Sequence, residues 1–243
     1  MKIIPLSEGS YTVDKTKEFI PFDAAQDLLA TRAPGSLLVE IQPFLVITSA
    51  DIILLDAGLG FKKDGEWTLV KQLRANGIGA SEITKVFLSH LHKDHIGAIY
   101  DIDTNAPVFP NAKYYVQKTE WDFAMTRESA SFRKEMLSWM PAHPQVNWLD
   151  GSGVIDHYIQ YEISGGHSPH HQVCKIVDGG EVVFYGGDEA PQLQQMKHRF
   201  AAKYDADGKK AMQLRQQWWE RGEKEKWTFL FYHDIKNPIW KFD

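Results

Sequence analysis

ITKVFLSHLHKDH, residues 83–95, decides how the rest of the chain is read. Residues 83–88 are apolar and β-branched enough for a buried strand. That strand runs straight into four side chains able to bind a metal: His90, His92, Asp94 and His95. In an extended or looping segment side chains repeat every two residues, so His90 and His92 point the same way. Asp94 and His95 lie past the strand end, where the chain can turn them toward a second centre. Imidazole nitrogen combined with carboxylate oxygen suits zinc and similar divalent ions.

Three more strand tips repeat the theme. GGHSPHH, residues 165–171, puts His167 in a glycine-rich turn after a strand ending at Ile163. YGGD, residues 185–188, places Asp188 at the end of an apolar run, where glycines let a metal approach the backbone. FYHD, residues 231–234, ends another apolar run on His233. Taken singly, a strand-end His or Asp is more often a surface or capping residue. Taken together, four buried strands each deliver a ligand at the tip.

Around these sites strands and helices interleave. Short β-branched and aromatic runs predict strands at 36–41, 44–48, 52–55, 113–116, 154–163, 172–177, 181–185 and 227–232. Residues 67–75 read as an amphipathic helix stopped by Gly77, and helical segments are predicted around 119–140 and 207–221. Many strands are joined by short turns, which points to a sheet-rich core covered by helices, not a purely parallel sheet. With no repeat or linker, a single domain over 1–243 is the simplest organisation.

Composition narrows the class. Of 243 residues, 43% are hydrophobic and 24% charged, which argues against a disordered or fibrous chain. The formal charge of −5 lacks the basic footprint of a nucleic-acid binder. Cys174 is the only cysteine, so no intramolecular disulfide forms, and its place in an apolar run suits a core residue better than a nucleophile. Residues 1–14 hold no long apolar region, so no signal peptide is expected. The stretch 44–55 falls far short of the ~20 apolar residues of a spanning helix. A soluble, cytoplasmic protein acting on a small molecule, without nucleic acid or membrane partners, is expected. A homodimer is the base-rate expectation for its assembly.

The motif order Asp56-Ala57-Gly58, His90-x-His92-x-Asp94-His95, Gly166-His167-Ser168-Pro169, Gly187-Asp188 and His233 resembles the metallo-β-lactamase superfamily over most of the chain. The resemblance implies an α/β fold, a four-layer αββα sandwich with two metals at one edge of its paired sheets. It implies that His90, His92 and His167 hold the first metal, that Asp94, His95 and His233 hold the second, and that Asp188 bridges them. Asp56 matches a buried carboxylate that orients the ligands. The implied chemistry is hydrolysis by a hydroxide shared between two divalent ions, with Asp94, Asp188 and Asp56 as the carboxylates of the catalytic centre. Zinc is the default for this ligand set, and iron, manganese or cobalt fit the same donors. No G-x-S-x-G elbow or P-loop offers another chemistry.

Within the superfamily the complete motif argues for hydrolysis. The flavodiiron redox branch replaces the second histidine by Glu, and this chain has His92. The closing Tyr232-His233-Asp234 and the stretch Tyr204-Asp205-Ala206-Asp207, followed by a helix with Arg215, look most like the lactonase and organophosphate-hydrolase branch. Two positions depart from it. Pro191 stands where many lactonases place a tyrosine, which leaves the proton donor unassigned, and His170 stands where a glycine is usual.

The expected activity is cleavage of an ester-like bond, a lactone or carboxylic ester. The alternatives are a glyoxalase II-like thioesterase, a phosphotriesterase or phosphodiesterase, and a non-catalytic metal-binding interaction module. His170 and His171 are not counted as ligands, and histidines 143, 157 and 198 have no partner pattern. Glu189 is expected as an exposed loop carboxylate. Trp121, Phe123, Met125, Phe132, Met136, Trp139, Met140 and Trp148 form either an apolar wall over the metals or simply core or dimer contact.

Overall fold

The computed structural model describes residues 1–242. Alternation along its short apolar strands sorts side chains onto two faces. From Ile52–Leu55 and Lys85–Phe87, Leu54 and Val86 join Leu69 and Leu73 of the helix Thr68–Ala75 in one cluster. Ile53, Leu55 and Phe87 point the opposite way, into a layer shared with Ile176, Val183 and Tyr185 of a second sheet. On that sheet's outer face, Val173, Phe184 and Phe229 pack against Leu193, Met196 and Trp218 from the helices Leu193–Lys197 and Gly208–Glu225. The result is helix, sheet, sheet, helix: the expected four-layer αββα sandwich. Each fully buried Leu, Ile, Val or Phe stabilises it by about 1.5–3 kcal/mol.

Each main sheet has six strands. The first runs in the order Lys2–Pro5, Phe44–Ile47, Ile52–Leu55, Lys85–Phe87, Lys113–Gln117, Val146–Leu149. The second runs Gly153–Ile155, Ile159–Ile163, Gln172–Asp178, Glu181–Tyr185, Thr228–Leu230, Ile239–Lys241. Register brings the carboxyl ends together. Leu55, Phe87 and Tyr115 lie in one row of the first sheet, and Tyr161, Cys174, Tyr185 and Leu230 in one row of the second. The sheets are tied at that edge: Gln172 donates its backbone N–H to the Ser89 carbonyl at 2.8 Å and its Nε2 to the Leu88 carbonyl at 2.7 Å. Every strand that precedes a candidate ligand therefore ends at the same rim.

Two predicted elements differ, and one region adds strands that were not predicted. The helix around 119–140 is α-helical only over Lys118–Thr126, followed by short 3-10 turns at Lys134–Met136 and Met140–Ala142. The chain leaves the helix so that the Ser131 carbonyl can accept from Lys93 N at 2.8 Å, bracing the loop between His92 and Asp94. The strand at 154–163 is a hairpin, because Asp156 and His157 both take left-handed φ, 47° and 68°. The amino-terminal region adds Lys2–Pro5 to the first sheet and builds a separate three-stranded sheet from Phe19–Pro21, Gly9–Val13 and Leu37–Ile41. Only the last of these strands was predicted. Cys174 is buried in the inter-sheet layer. No helix among the described residues is long and apolar enough to cross a membrane.

Candidate metal centre

A splint of backbone sets the ligand loop. Asp56 has φ 57°, a left-handed conformation that Asp tolerates better than most residues, and Gly58 and Gly60 follow it at 67° and 74°. This turn lies against residues 95–98: Ala57 N donates to the His95 carbonyl at 2.7 Å, and Gly97 N to the Gly58 carbonyl at 2.7 Å. Gly60 and Gly97 approach so closely that a Cβ on Gly60 would stand 2.1 Å from the Gly97 carbonyl oxygen. On the other sheet, Gly187 at φ 48° bends the chain after Glu181–Tyr185 and turns Asp188 inward.

The seven expected donors converge. His90 Nε2 lies 2.8 Å from His92 Nδ1, and His167 Nε2 lies 3.2 Å from that same nitrogen. Asp188 Oδ2 faces this trio, 3.3 Å from His167 Nε2 and 4.0 Å from His90 Nε2. Its other oxygen, Oδ1, faces the second group, 3.1 Å from His95 Nε2 and 3.0 Å from His233 Nε2. Asp94 Oδ2 completes that group at 3.6 Å from each of those two nitrogens. Within each group the donor atoms fall inside 4.8 Å of one another. His95 Nε2 and Asp188 Oδ1 are buried without a hydrogen-bond partner. Buried polar atoms are costly in that state, and a cation between them removes the cost. The donor set is therefore chemically suited to two divalent ions.

The far sides of the rings are held as ligands usually are. His95 Nδ1 meets Asp56 Oδ2 at 2.7 Å, His167 Nδ1 meets Asp205 Oδ1 at 2.9 Å, and His90 Nδ1 meets Ser89 Oγ at 3.1 Å. His233 Nδ1 meets the Glu40 carbonyl at 2.7 Å. Asp56 is the hub: it also accepts from Ser89 N at 2.7 Å, from Ser89 Oγ at 2.6 Å and from the Tyr185 hydroxyl. It orients the site without facing it. His171, buried, accepts the Asp188 backbone N–H at Nε2 (3.2 Å), which leaves Nδ1 to donate to Ser164 Oγ at 2.9 Å. His170 packs by Phe123.

Glu189 departs from its expected exposure. It is buried, and its carboxylate accepts from Gly166 N at 2.9 Å and His167 N at 3.1 Å. Asp205 and the Glu40 carbonyl were also missed as ring partners. Asp205 belongs to a stretch that reads as a helix start, yet the residue that caps the following helix is Asp207, accepting from Lys210 N at 3.0 Å.

Electrostatics divide the histidines. Burial, helped by the charges of His95 and His92, holds His90 well below the usual histidine range; burial and His167 do the same for His92. Burial also opposes charge on His95 and His233, but the Asp188 and Asp94 carboxylates outweigh it and raise both. His167 is raised likewise, by Asp188 and Asp205 against burial. Asp188 is held well below the carboxylate range by His233, His95 and His167 despite its burial.

A cavity of about 790 Å³ opens over His92, Asp94, His167, Asp188 and His233. That is an ordinary size for a small-molecule site. Its apolar wall is Val13, Phe19, Leu37, Val39 and Phe200, from the amino-terminal sheet and the 195–204 segment. The aromatic residues of 121–148 are not that wall. Met136 and Met140 are buried in the core, with Trp121, Met125, Phe132, Trp139 and Trp148 packed against the same cluster. Phe132 alone of these touches a ligand ring, 5.1 Å from His92 between centroids. Pro191 and Tyr204 both line the cavity.

Comparison with known proteins agrees with this architecture. The N-acyl homoserine lactonase AttM of Agrobacterium fabrum is 31% identical over 123 residues, 45% of this chain and 41% of that protein, so the match spans less than half of the relative's length. The lactamase-like protein adaB of Aspergillus niger is 37% identical over 84 residues, 33% of this chain and 25% of that protein. Among solved structures, a probable metal-dependent hydrolase from Staphylococcus aureus superposes with a TM-score of 0.80 at 20% identity, covering 99% of this chain and 91% of that one. AidC, a dizinc quorum-quenching lactonase, gives 0.74 at 24% identity, covering 98% and 88%. At these identities the structural likeness concerns the fold. The family model for the metallo-beta-lactamase superfamily matches residues 40–220, which carry every candidate donor except His233, and the chain belongs to that superfamily.

Proposed function

We propose that the protein is a dinuclear metal-dependent hydrolase, with zinc as its resident ion and a lactone or related carboxylic ester as its substrate. The observation that carries the reading is Asp188, whose two oxygens face two separate histidine groups. Two bound divalent ions would supply water deprotonated near pH 7 and polarise the ester carbonyl. The chain's own residues do the rest. His90, His92 and His167 would hold one ion, Asp94, His95 and His233 the other, and Asp188 both. Phe19, Leu37 and Phe200 offer an apolar surface to the acyl part of a substrate. Tyr204, whose pKa is pushed up to about 12 chiefly by burial, keeps its hydroxyl proton through the neutral range. The lactonase relatives support the substrate class, and the filled donor set supports catalysis over a purely binding role.

The deciding experiment is a panel of lactone, thioester, phosphodiester and phosphotriester substrates on protein of measured metal content. The lactone should show the highest kcat/KM. A thioester in first place would move the assignment to the glyoxalase II kind, and inactivity on all four with two ions bound would remove the hydrolase reading.

Metal content should fall on acidification. Imidazole must be deprotonated to bind a cation, and five of the seven donors are imidazoles. Loss is expected as the pH is lowered from about 8 toward 5, bracketing the ordinary histidine pKa of about 6.5. Equilibrium dialysis with elemental analysis would read the loss; full metal content at pH 5 contradicts histidine ligation.

A further inference from the structure

Four lysines, Lys15, Lys17, Lys93 and Lys203, line the cavity over the donors. Among the described residues, none of the four forms a salt bridge. Three carboxylates share the lining, but Asp94 and Asp188 belong to the donor groups, and Asp14 Oδ1 accepts from Thr16 N and Thr16 Oγ1 in its own turn. The cavity mouth is thus basic on a chain whose net charge is −5. Such a local field in a cleft with apolar walls attracts and retains anions.

Lys17 is placed there by backbone. Its φ is 63°, a left-handed conformation for a non-glycine residue, fixed by its N–H donating to the Asp14 carbonyl at 3.0 Å. Such a conformation persists where the surroundings over-determine it. Lys203 also lines the cavity, in the same segment as Tyr204 and Phe200.

We propose that the substrate of this site is an amphipathic ester bearing an anionic group away from the scissile bond, its apolar part against Phe19, Leu37 and Phe200 and its anion met by Lys17 and Lys203. This rests on the hydrolase reading above and narrows its substrate class. Lys93 already lies over the Phe19 ring, 5.8 Å from its centroid; a neutral lactone with a plain alkyl tail would offer Lys17 and Lys203 no anion. The ammonium groups, with no arginine on the lining, recognise a charge and not a planar fork, so a carboxylate or a phosphate-like group fits equally.

The test reads binding instead of turnover. Calorimetry on the metal-loaded protein would compare dicarboxylates of six, eight and ten carbons with monocarboxylates of the same length. In both series one carboxylate can meet the metals; only the dicarboxylates carry a second anion. The best dicarboxylate should bind about 10-fold tighter at low salt, since its second anion meets two ammonium groups and each exposed ion pair is worth roughly a factor of up to five. Lys17→Met with Lys203→Met should abolish that preference, and added salt should weaken it in the native protein. An ω-phosphono carboxylate as a third arm identifies which anion is favoured. Equal or weaker binding of every dicarboxylate and of the phosphonate overturns the proposal, as does a preference that survives the double substitution. A panel without turnover beside an intact preference would remove the hydrolase reading and leave the anion site standing.

Discussion

Asp188→Asn should cost the protein its second metal ion and on the order of 10³- to 10⁴-fold in kcat/KM, about 4–5 kcal/mol of transition-state stabilisation. The change keeps the side-chain volume, so the effect isolates the charge and the second acceptor oxygen. At present Oδ2 serves the His90–His92–His167 group, and Oδ1, buried and without a hydrogen-bond partner, serves His95 and His233. An amide offers one oxygen. Its NH2 would face imidazole nitrogens on one side, and the negative charge that balances two cations would be gone. The backbone turn at Gly187 and the Asp188 N–H bond to His171 remain, so circular dichroism should be unchanged. Elemental analysis and a kinetic trace on one preparation check the result. Retention of both ions with undiminished turnover would mean that this carboxylate does not join the two groups.

Asp56→Ala should be the most destabilising single change near the site, although Asp56 offers no atom to a metal. The side chain is fully buried and accepts from four donors: Ser89 N, Ser89 Oγ, His95 Nδ1 and Tyr185 Oη. Alanine leaves these polar groups with no acceptor in a layer that water does not enter. Breaking a buried charged network of this kind costs roughly 3–5 kcal/mol, which at this chain length lowers Tm by on the order of 10 °C. His95 loses the partner that fixes its ring, so affinity at the Asp94–His95–His233 group should fall about 10- to 100-fold while the other group is less affected. Asp56→Asn should fall between the two, because its amide nitrogen opposes one of the donors. A melting curve and a metal titration decide the matter; an alanine variant with native Tm and native affinity at both groups would show that Asp56 is not the hub.

The site was more legible than the cavity above it. ITKVFLSHLHKDH pairs a short buried strand with ligands at alternate positions, and that local pattern survives any tertiary arrangement. The same holds for the tips at His167, Asp188 and His233, where apolar runs end on glycines or aromatics. The 119–140 prediction failed because the Ser131 carbonyl is drawn to Lys93 N, a contact invisible to periodicity. The strand Gly9–Val13 was not predicted because GSYTV is short and mixed, and its stability comes from pairing with Phe19–Pro21 and Leu37–Ile41 on either side. Glu189 is an ordinary loop acid by composition; only its position under Gly166 and His167 makes it a buried acceptor.

Sequence alone determined which residues could serve as donors, that they sit at strand ends, and that a sheet-rich core covered by helices would carry them. These follow from side-chain chemistry and from periods of two and 3.6 residues, both local properties. The family resemblance implied that Asp188 joins the two groups, and tertiary structure supplied the geometry in which its two oxygens face different histidines. Tertiary structure decided that Asp56 and not a metal-facing residue is the centre of the hydrogen bonds, and that the cavity is walled by the amino-terminal sheet and rimmed by lysines. Those facts depend on contacts between segments distant in the chain, the longest of them Tyr185 with Asp56 and His233 with Glu40, separated by 129 and 193 positions, which no local pattern encodes.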